Sequence, residues 1–261
     1  MIRLWPDFPS QLYSYWEGCT EDELPIAIVE YDLQSPDRND NRVLAEGRVT
    51  EKRRYNRSGG ATLERQQQHD DFMIGSCCED AYADYIHEHY DMPKPEVDHK
   101  VYGSGYQDSG GDVILHECPN FRCDVKSSHV KSGQSGRRVV PKFYLYSTSD
   151  LKRRMLDGTL PDAGFGARTQ FDESNENILY VELFGFAPIG RLLELDDFGN
   201  IQFKESENVA DIVSRYEMTI SDSLPSGHRL DNRNLIIPLH RMQPMKDNFF
   251  ASAKRLSQAR S

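Results

Sequence analysis

The sequence lacks long apolar segments and is poor in cysteine. None of its 261 residues lies in a run close to the 18 or more apolar residues that span a bilayer. Residues 1–16 contain no apolar stretch behind a basic one, as an export signal would. The five cysteines are an odd number and two are adjacent, which is unlike a secreted disulfide framework. We therefore expect a cytoplasmic protein that has no membrane contact.

The chain has no overall excess of positive charge, yet one segment is strongly basic. The formal net charge is −11. Between Arg122 and Arg154, however, nine Lys or Arg stand against two acids, which gives this segment a charge of +7. Local charge matters more than total charge for a polyanionic ligand. The basic side chains that we expect to follow a nucleic-acid backbone are Lys131, Arg137, Arg138, Lys142, Lys152, Arg153 and Arg154. The alternative is a solvated loop and helix face.

The predicted elements indicate an α/β core behind a small β-rich N-terminal element. Residues 1–57 contain strand-like pieces, and "RSGGAT" at 57–62 has the composition of a hinge, so we divide the chain into 1–62 and 63–261. Apolar residues at three- and four-residue steps predict a helix from Gln66 to about Tyr90. The later elements combine helices with strands, the arrangement of an α/β core. Strands are predicted at 96–102, 112–117, 121–128, 142–147 and 177–187, a short basic helix at 149–156, and a strand ending near Pro238 that is followed by a helix.

Two carboxylates and a lysine lie on predicted strands that are neighbours in the sequence. Alternation along a strand places Asp124 and Lys126 on one face and turns Cys123 and Val125 to the other. Asp112, at the start of the preceding strand, can reach the same place. Two carboxylates and a main-chain carbonyl, for which Val125 is the natural choice, form a hard oxygen site suited to Mg²⁺. A lysine beside such a site can hold water and stabilise charge on a phosphate, as metal-assisted phosphodiester hydrolysis requires.

The segments "GGD" at 110–112 and "CDVKSS" at 123–128 resemble the PD-(D/E)xK nuclease superfamily, which has the restriction-endonuclease-like fold. The sequence at 73–86 is similar to the first core helix of many members, whose glutamate serves the metal site, and Glu79 matches that glutamate. Segments 178–195 and 235–250 are similar to later strands and the closing helix of phage and prokaryotic members. The resemblance implies a mixed central sheet flanked by helices and a Mg²⁺-dependent deoxyribonuclease, in which Mn²⁺ can substitute. It also implies DNA as the partner and, for a phage-encoded chain, the host cytoplasm as its location.

The same resemblance assigns Glu79, Asp112, Asp124 and Lys126 as the catalytic set, with Glu79, Asp112, Asp124 and the Val125 carbonyl at the metal. The sequence departs from the family pattern in that no proline precedes Asp112. It also has about 30 residues between two predicted strands, from which we expect an inserted, substrate-contacting loop near 157–177. Whether the nuclease is an endonuclease or an exonuclease, and whether it forms an oligomer, stays open.

Three other interpretations compete with a nuclease site. His116, Cys118, Cys123 and His129 have the spacing H-x-C-x4-C-x5-H and could be read as zinc ligands, although zinc knuckles usually place their cysteines in tight loops. Cys77 or Cys78 could act as a nucleophile with a histidine, but Cys78 falls on the apolar stripe of the predicted helix. The third alternative is a catalytically inactive nuclease fold that binds DNA or protein.

Overall fold

The computed structural model describes residues 1–4, 6–10, 12, 16, 20, 23–55, 65–90, 92–98, 111–132, 138–243 and 247–258. Its helices are α1 (Asn39–Tyr55), α2 (Arg65–Tyr90), α3 (Thr148–Leu156), α4 (Glu207–Arg215) and α5 (Asp247–Gln258). Its strands are β1 (Ile2–Arg3), β2 (Ala27–Asp32), β3 (Glu96–Val97), β4 (Val113–Ile114), β5 (Arg122–His129), β6 (Lys131–Ser132), β7 (Arg138–Val139), β8 (Phe143–Ser147), β9 (Ala163–Phe171), β10 (Ile178–Pro188), β11 (Leu193–Leu195), β12 (Ile201–Phe203), β13 (Thr219–Ser223) and β14 (Arg229–Pro238).

A mixed sheet forms the centre of this α/β fold. Within the described residues it has seven strands in the order β1-β2-β10-β9-β5-β4-β3. β5 and β9 pair in parallel, and the other neighbours pair antiparallel. A parallel pair requires a crossover connection, and here residues 130–162 provide it, carrying β8 and α3. β8 joins β13 and β14 in a separate three-stranded sheet.

Helix α2 covers one face of the central sheet. Its residues Cys78, Ala81, Tyr82 and Tyr85 recur at helical spacing and are all buried. They pack with Phe165 and other inward-facing residues of β5, β9 and β10 in the main apolar core. The Tyr82 hydroxyl donates to the carbonyl oxygen of Gly166 at 2.6 Å, so the helix is also hydrogen-bonded to the sheet. The helix predicted from the apolar spacing is confirmed.

The opposite face of β9 is covered by the three-stranded sheet, and glycines allow the close approach. A Cβ atom on Gly164 would clash with the Tyr144 hydroxyl and would lie 2.6 Å from Ile189 Cδ1. A Cβ atom on Gly166 would clash with Met242 Sδ. Glycine is therefore required at these positions for the second layer to pack against the central sheet.

Two sequence predictions are wrong. The segment near 157–177, expected to be an inserted loop, contains strand β9 at the centre of the sheet, and the residues from Ala163 to Gln170 are buried. The second half of the β-rich element expected over 1–57 is instead α1, in which Asn41, Leu44, Ala45 and Val49 are buried at helical spacing. β2 pairs with β10, so residues on both sides of the predicted boundary at 62 share one sheet.

Other predicted elements agree with the structure in position, and some differ in length. β5, β8, α3, β10, β14 and α5 lie where the sequence predicts strands and helices. The strands predicted at 96–102 and 112–117 contain only the two-residue strands β3 and β4, and residues 99–110 lie outside the described residues. The predicted hinge at 57–62 lies outside them as well. In the part of the chain that is described, no helix has the length and apolar character needed to cross a membrane.

Candidate metal and phosphate site

Strand β5 presents Asp124 and Lys126 together on the face toward the three-stranded sheet. Cys123 and Val125 point to the opposite face, into the main core, as the strand alternation predicts. Lys126 Nζ lies 2.6 Å from Asp124 Oδ2 in an ion pair. The Asp124 carboxylate is fully buried, whereas a third of the Lys126 side chain is exposed. The site therefore contains a fully buried carboxylate beside a lysine whose side chain is partly exposed.

Asp112 is fixed against the same strand through the backbone. Its N–H donates to the carbonyl oxygen of Cys123 at 2.7 Å, and its Oδ2 accepts from the Val125 N–H, also at 2.7 Å. Burial and the nearby negative charge of Asp124 raise the pKa of Asp112 to about 7. The predicted pair of carboxylates, with the Val125 backbone next to Asp112, is thus brought together.

The layer above β5 supplies three side chains that the sequence analysis did not assign to the site. The Tyr146 hydroxyl donates to Asp124 Oδ1 at 3.3 Å, and Arg154 Nη2 lies 3.5 Å from the same oxygen. Lys126 Nζ is 4.6 Å from the centre of the Tyr146 ring. The hydroxyl of buried Tyr144 has no hydrogen-bond partner among the described residues. Burial and the negative charge of Asp124 raise the pKa of Tyr144 well above its usual value.

Arg154 is not on the surface, where the sequence analysis placed it with the side chains that follow DNA. It is only 5% exposed. The physical reason is its position on α3, three residues after the fully buried Leu151 and therefore on the same face of the helix. That spacing was the sequence signal that could have identified it.

Glu79 lies on α2, the helix that packs on the other face of the sheet. It is buried, its Oε1 lies 3.9 Å from Arg48 Nη1, and its Oε2 accepts no hydrogen bond within the described residues. Burial, followed by the negative charge of Asp112, raises the pKa of Glu79 well above its usual value. Glu79 is thus close enough to Asp112 for the two charges to interact, and Arg48 is a neighbour that the sequence analysis missed.

The carboxylates fit a hard cation that brings its own water molecules. Mg²⁺ is usually held by one or two protein carboxylates with water and substrate oxygens, and seldom by an all-protein cage. Asp112 and Asp124 provide such a pair, and Glu79 adds a buried oxygen without a donor. Over the described residues, no group of three or more His, Cys, Asp or Glu side chains is already arranged around a cation position. The two aspartates are therefore the residues that could hold such a cation, together with water and substrate oxygens.

The residues of the zinc interpretation make other contacts. His116 Nε2 is 2.8 Å from the carbonyl oxygen of Lys94, and His129 Nδ1 is 3.0 Å from Thr169 Oγ1. Cys118 and Cys123 are buried free thiols in the main core. The two cysteines are thus small buried core residues, and the two histidines form hydrogen bonds with other groups, so these contacts do not favour a zinc site.

The adjacent cysteines are also buried in the core. Cys77 and Cys78 are both fully sheltered, and burial raises the pKa of the Cys77 thiol to about 12. A nucleophilic cysteine requires the opposite shift, toward the thiolate. This placement argues against cysteine catalysis.

The other predicted DNA-contacting residues are spread over several elements. Lys142 and Arg153 are exposed and Lys152 is half-buried. Arg153 is ion-paired twice: its Nη2 lies 2.6 Å from Asp150 Oδ1 on α3, and its Nη1 lies 3.7 Å from Oδ2 of Asp157, the residue after the helix. Lys131 and Arg138 belong to strands β6 and β7, whose side chains are not described, and Arg137 lies outside the described residues.

Comparison of the chain with protein-family models, with curated proteins and with solved structures found no significant match.

Proposed function

We propose that the protein is a metal-dependent deoxyribonuclease of the PD-(D/E)xK type that hydrolyses phosphodiester bonds in DNA. The observation that carries the proposal is the convergence of Asp112 and the Asp124–Lys126 pair at strand β5. A mixed sheet with α2 on one face is compatible with a restriction-endonuclease-like core, which is part of the same proposal.

The proposed ligands of the cation are Asp112, Asp124 and the Val125 carbonyl, with Glu79 acting directly or through water. When bound, Mg²⁺ or Mn²⁺ supplies Lewis-acid chemistry: it offsets phosphate charge and lowers the pKa of water. The chain's own contribution is to hold two carboxylates together, which is unfavourable without a cation between them. The pKa of Asp112 is raised first by burial and then by the negative charge of Asp124.

Lys126 has two partners in this proposal, one before and one after cation loading. Without a cation its ammonium neutralises Asp124 Oδ2. A cation on that oxygen would repel the ammonium, and the side chain, which is one-third exposed, would turn toward a DNA phosphate. There it would stabilise charge developing on the attacked phosphate or hold the attacking water.

The second candidate is a nuclease fold that binds DNA or protein without cleaving it. One observation favours it: Asp124 is fully buried and already faces two cationic side chains, Lys126 and Arg154. A carboxylate neutralised in this way serves as a structural ion pair equally well. The nuclease is preferred because a structural pair has no need of a second carboxylate at Asp112.

The test is incubation of the purified protein with plasmid and with linear DNA, in Mg²⁺ or in EDTA. The nuclease proposal expects cleavage in Mg²⁺ that is lost in EDTA and in an Asp124→Asn variant. A protein that shifts DNA in a salt-dependent manner but leaves it intact in Mg²⁺ and in Mn²⁺ would establish the binding module instead.

A further inference from the structure

The two oxygens of the Asp124 carboxylate have different partners. Oδ2 faces Lys126 Nζ at 2.6 Å, from the same strand. Oδ1 accepts from the Tyr146 hydroxyl at 3.3 Å and lies 3.5 Å from Arg154 Nη2. Tyr146 and Arg154 belong to β8 and α3, in the layer that packs over the sheet. Asp124 Oδ1 is thus contacted by the covering layer, while Oδ2 faces Lys126, whose side chain is one-third exposed.

Arg154 is itself held in place. Its Nε lies 3.5 Å from Asp150 Oδ2, four residues earlier on α3, and the helix is anchored by Leu151, which is completely buried. Only 5% of Arg154 is exposed. A guanidinium so sheltered is poorly placed to meet DNA, and therefore its effect is exerted on Asp124.

We infer that Arg154, together with Tyr146, is a positioning residue for the proposed metal site. Their contacts fix Asp124 Oδ1, so that Oδ2 remains the oxygen offered to a divalent cation. This inference rests on the proposed function, because it assumes that Asp124 binds the cation. Partners that orient a ligand carboxylate from behind typically change metal affinity or activity by about 10- to 100-fold when they are removed.

A competing effect of opposite sign makes the inference testable. The Arg154 guanidinium also repels a cation, so removing its charge would by itself tighten metal binding. Loss of the orientation of Asp124 would instead weaken the binding of the cation. Tyr146→Phe removes a hydroxyl without changing any charge, so it reports orientation alone.

The experiment measures Mn²⁺ binding by the full chain without DNA, using the electron paramagnetic resonance signal of free Mn²⁺. We expect Arg154→Met to weaken binding by about 10- to 100-fold and Tyr146→Phe by about tenfold. DNA binding without metal should not change in either variant. Melting curves would establish that each variant is folded, and Tyr146→Phe decides the question if Arg154→Met is unstable.

Two matched controls separate positioning from a general loss of packing or charge. Tyr180→Phe removes a buried tyrosine hydroxyl that donates to Asp172 Oδ2 at 3.1 Å, on the same sheet. Arg241→Met removes an arginine whose ion-pair partner is Glu217 and not a carboxylate of the site. Both should bind Mn²⁺ within about twofold of the wild-type protein, because neither touches the carboxylates of the site.

The outcomes separate the two proposals. Wild-type binding of Mn²⁺ without DNA cleavage would reject the nuclease and leave the positioning role to be decided by the affinities. Cleavage by the wild-type protein, with unchanged or tighter Mn²⁺ binding in Arg154→Met and unchanged binding in Tyr146→Phe, would reject only the positioning role. A wild-type protein that binds no Mn²⁺ would reject both.

Discussion

Replacing Lys126 with Met removes the ammonium from the proposed site and keeps most of the apolar stem of the side chain. If Lys126 stabilises charge on the attacked phosphate, we expect the cleavage rate at saturating Mg²⁺ to fall by about 10²- to 10³-fold, the effect of losing one preorganised charge donor. DNA binding should fall little, because Lys126 is one of nine basic residues between Arg122 and Arg154. The assay is single-turnover cleavage of a labelled duplex, paired with a binding titration in EDTA.

The same substitution has a separate effect on stability. Asp124 would lose the ammonium 2.6 Å from its Oδ2 but keep Tyr146 and Arg154 at Oδ1. Breaking a fully buried pair costs about 3–5 kcal/mol and a surface pair at most about 1 kcal/mol. With Lys126 one-third exposed and two partners left, we expect Lys126→Met to lower the free energy of unfolding by about 2 kcal/mol.

A double-mutant cycle separates these two effects. Adding Asp124→Asn to Lys126→Met removes the charge that the first substitution leaves with Arg154 and Tyr146 alone, so urea unfolding should show less than the sum of the two single losses. Catalysis should not recover, since both roles are then missing. Cleavage by Lys126→Met at close to the wild-type rate, with Asp124→Asn inactive, would refute the role of the lysine. Normal cleavage by both single variants would refute the nuclease proposal.

Three further predictions concern packing, metal and charge. Gly164→Ala should lower the free energy of unfolding by about 1–3 kcal/mol in urea titration, because its Cβ would collide with Tyr144 and Ile189; an unchanged midpoint would contradict the packing described. EDTA should stop cleavage without changing the circular dichroism spectrum, and added Mg²⁺ should restore it; unfolding on chelation would indicate a structural metal instead. Lys142→Ala combined with Lys152→Ala should reduce the slope of log K against log salt, measured on duplex DNA, by about 0.9 for each phosphate that the variant no longer neutralises. An unchanged slope would mean that these lysines form only a solvated surface.

The sequence was most informative where periodicity was strong and local. The 3.6-residue repeat of α2 and the alternation along β5 were readable, because each reflects which face of a single element is buried. The grouping of Asp112 with Asp124 and Lys126 followed from that alternation and from the pairing of neighbouring strands.

The remaining parts depended on contacts between distant elements. β9 was mistaken for part of an inserted loop because about 30 residues separate the two strands predicted around it; its Gly164 and Gly166 lie where Tyr144 and Met242 of the covering layer approach closely. Arg154 was grouped with surface cations because its charge was counted without its position on the α3 face. The burial of Arg154 was readable from its spacing from Leu151, whereas the packing of Gly164 and Gly166 depends on residues of other elements.

The parallel pairing of β5 and β9 also bears on the order in which the chain folds. These strands meet only after the connection at 130–162 has docked, and closing so long a segment is a slow, non-local step. Tyr146 and Arg154 lie on that same connection. We expect Asp124 to stay hydrated until this connection docks, and to lose water as its hydroxyl and guanidinium partners arrive. We therefore expect closure of the sheet to coincide with the burial of Asp124 Oδ1 behind Tyr146 and Arg154, whereas Lys126 is beside Oδ2 from the same strand throughout.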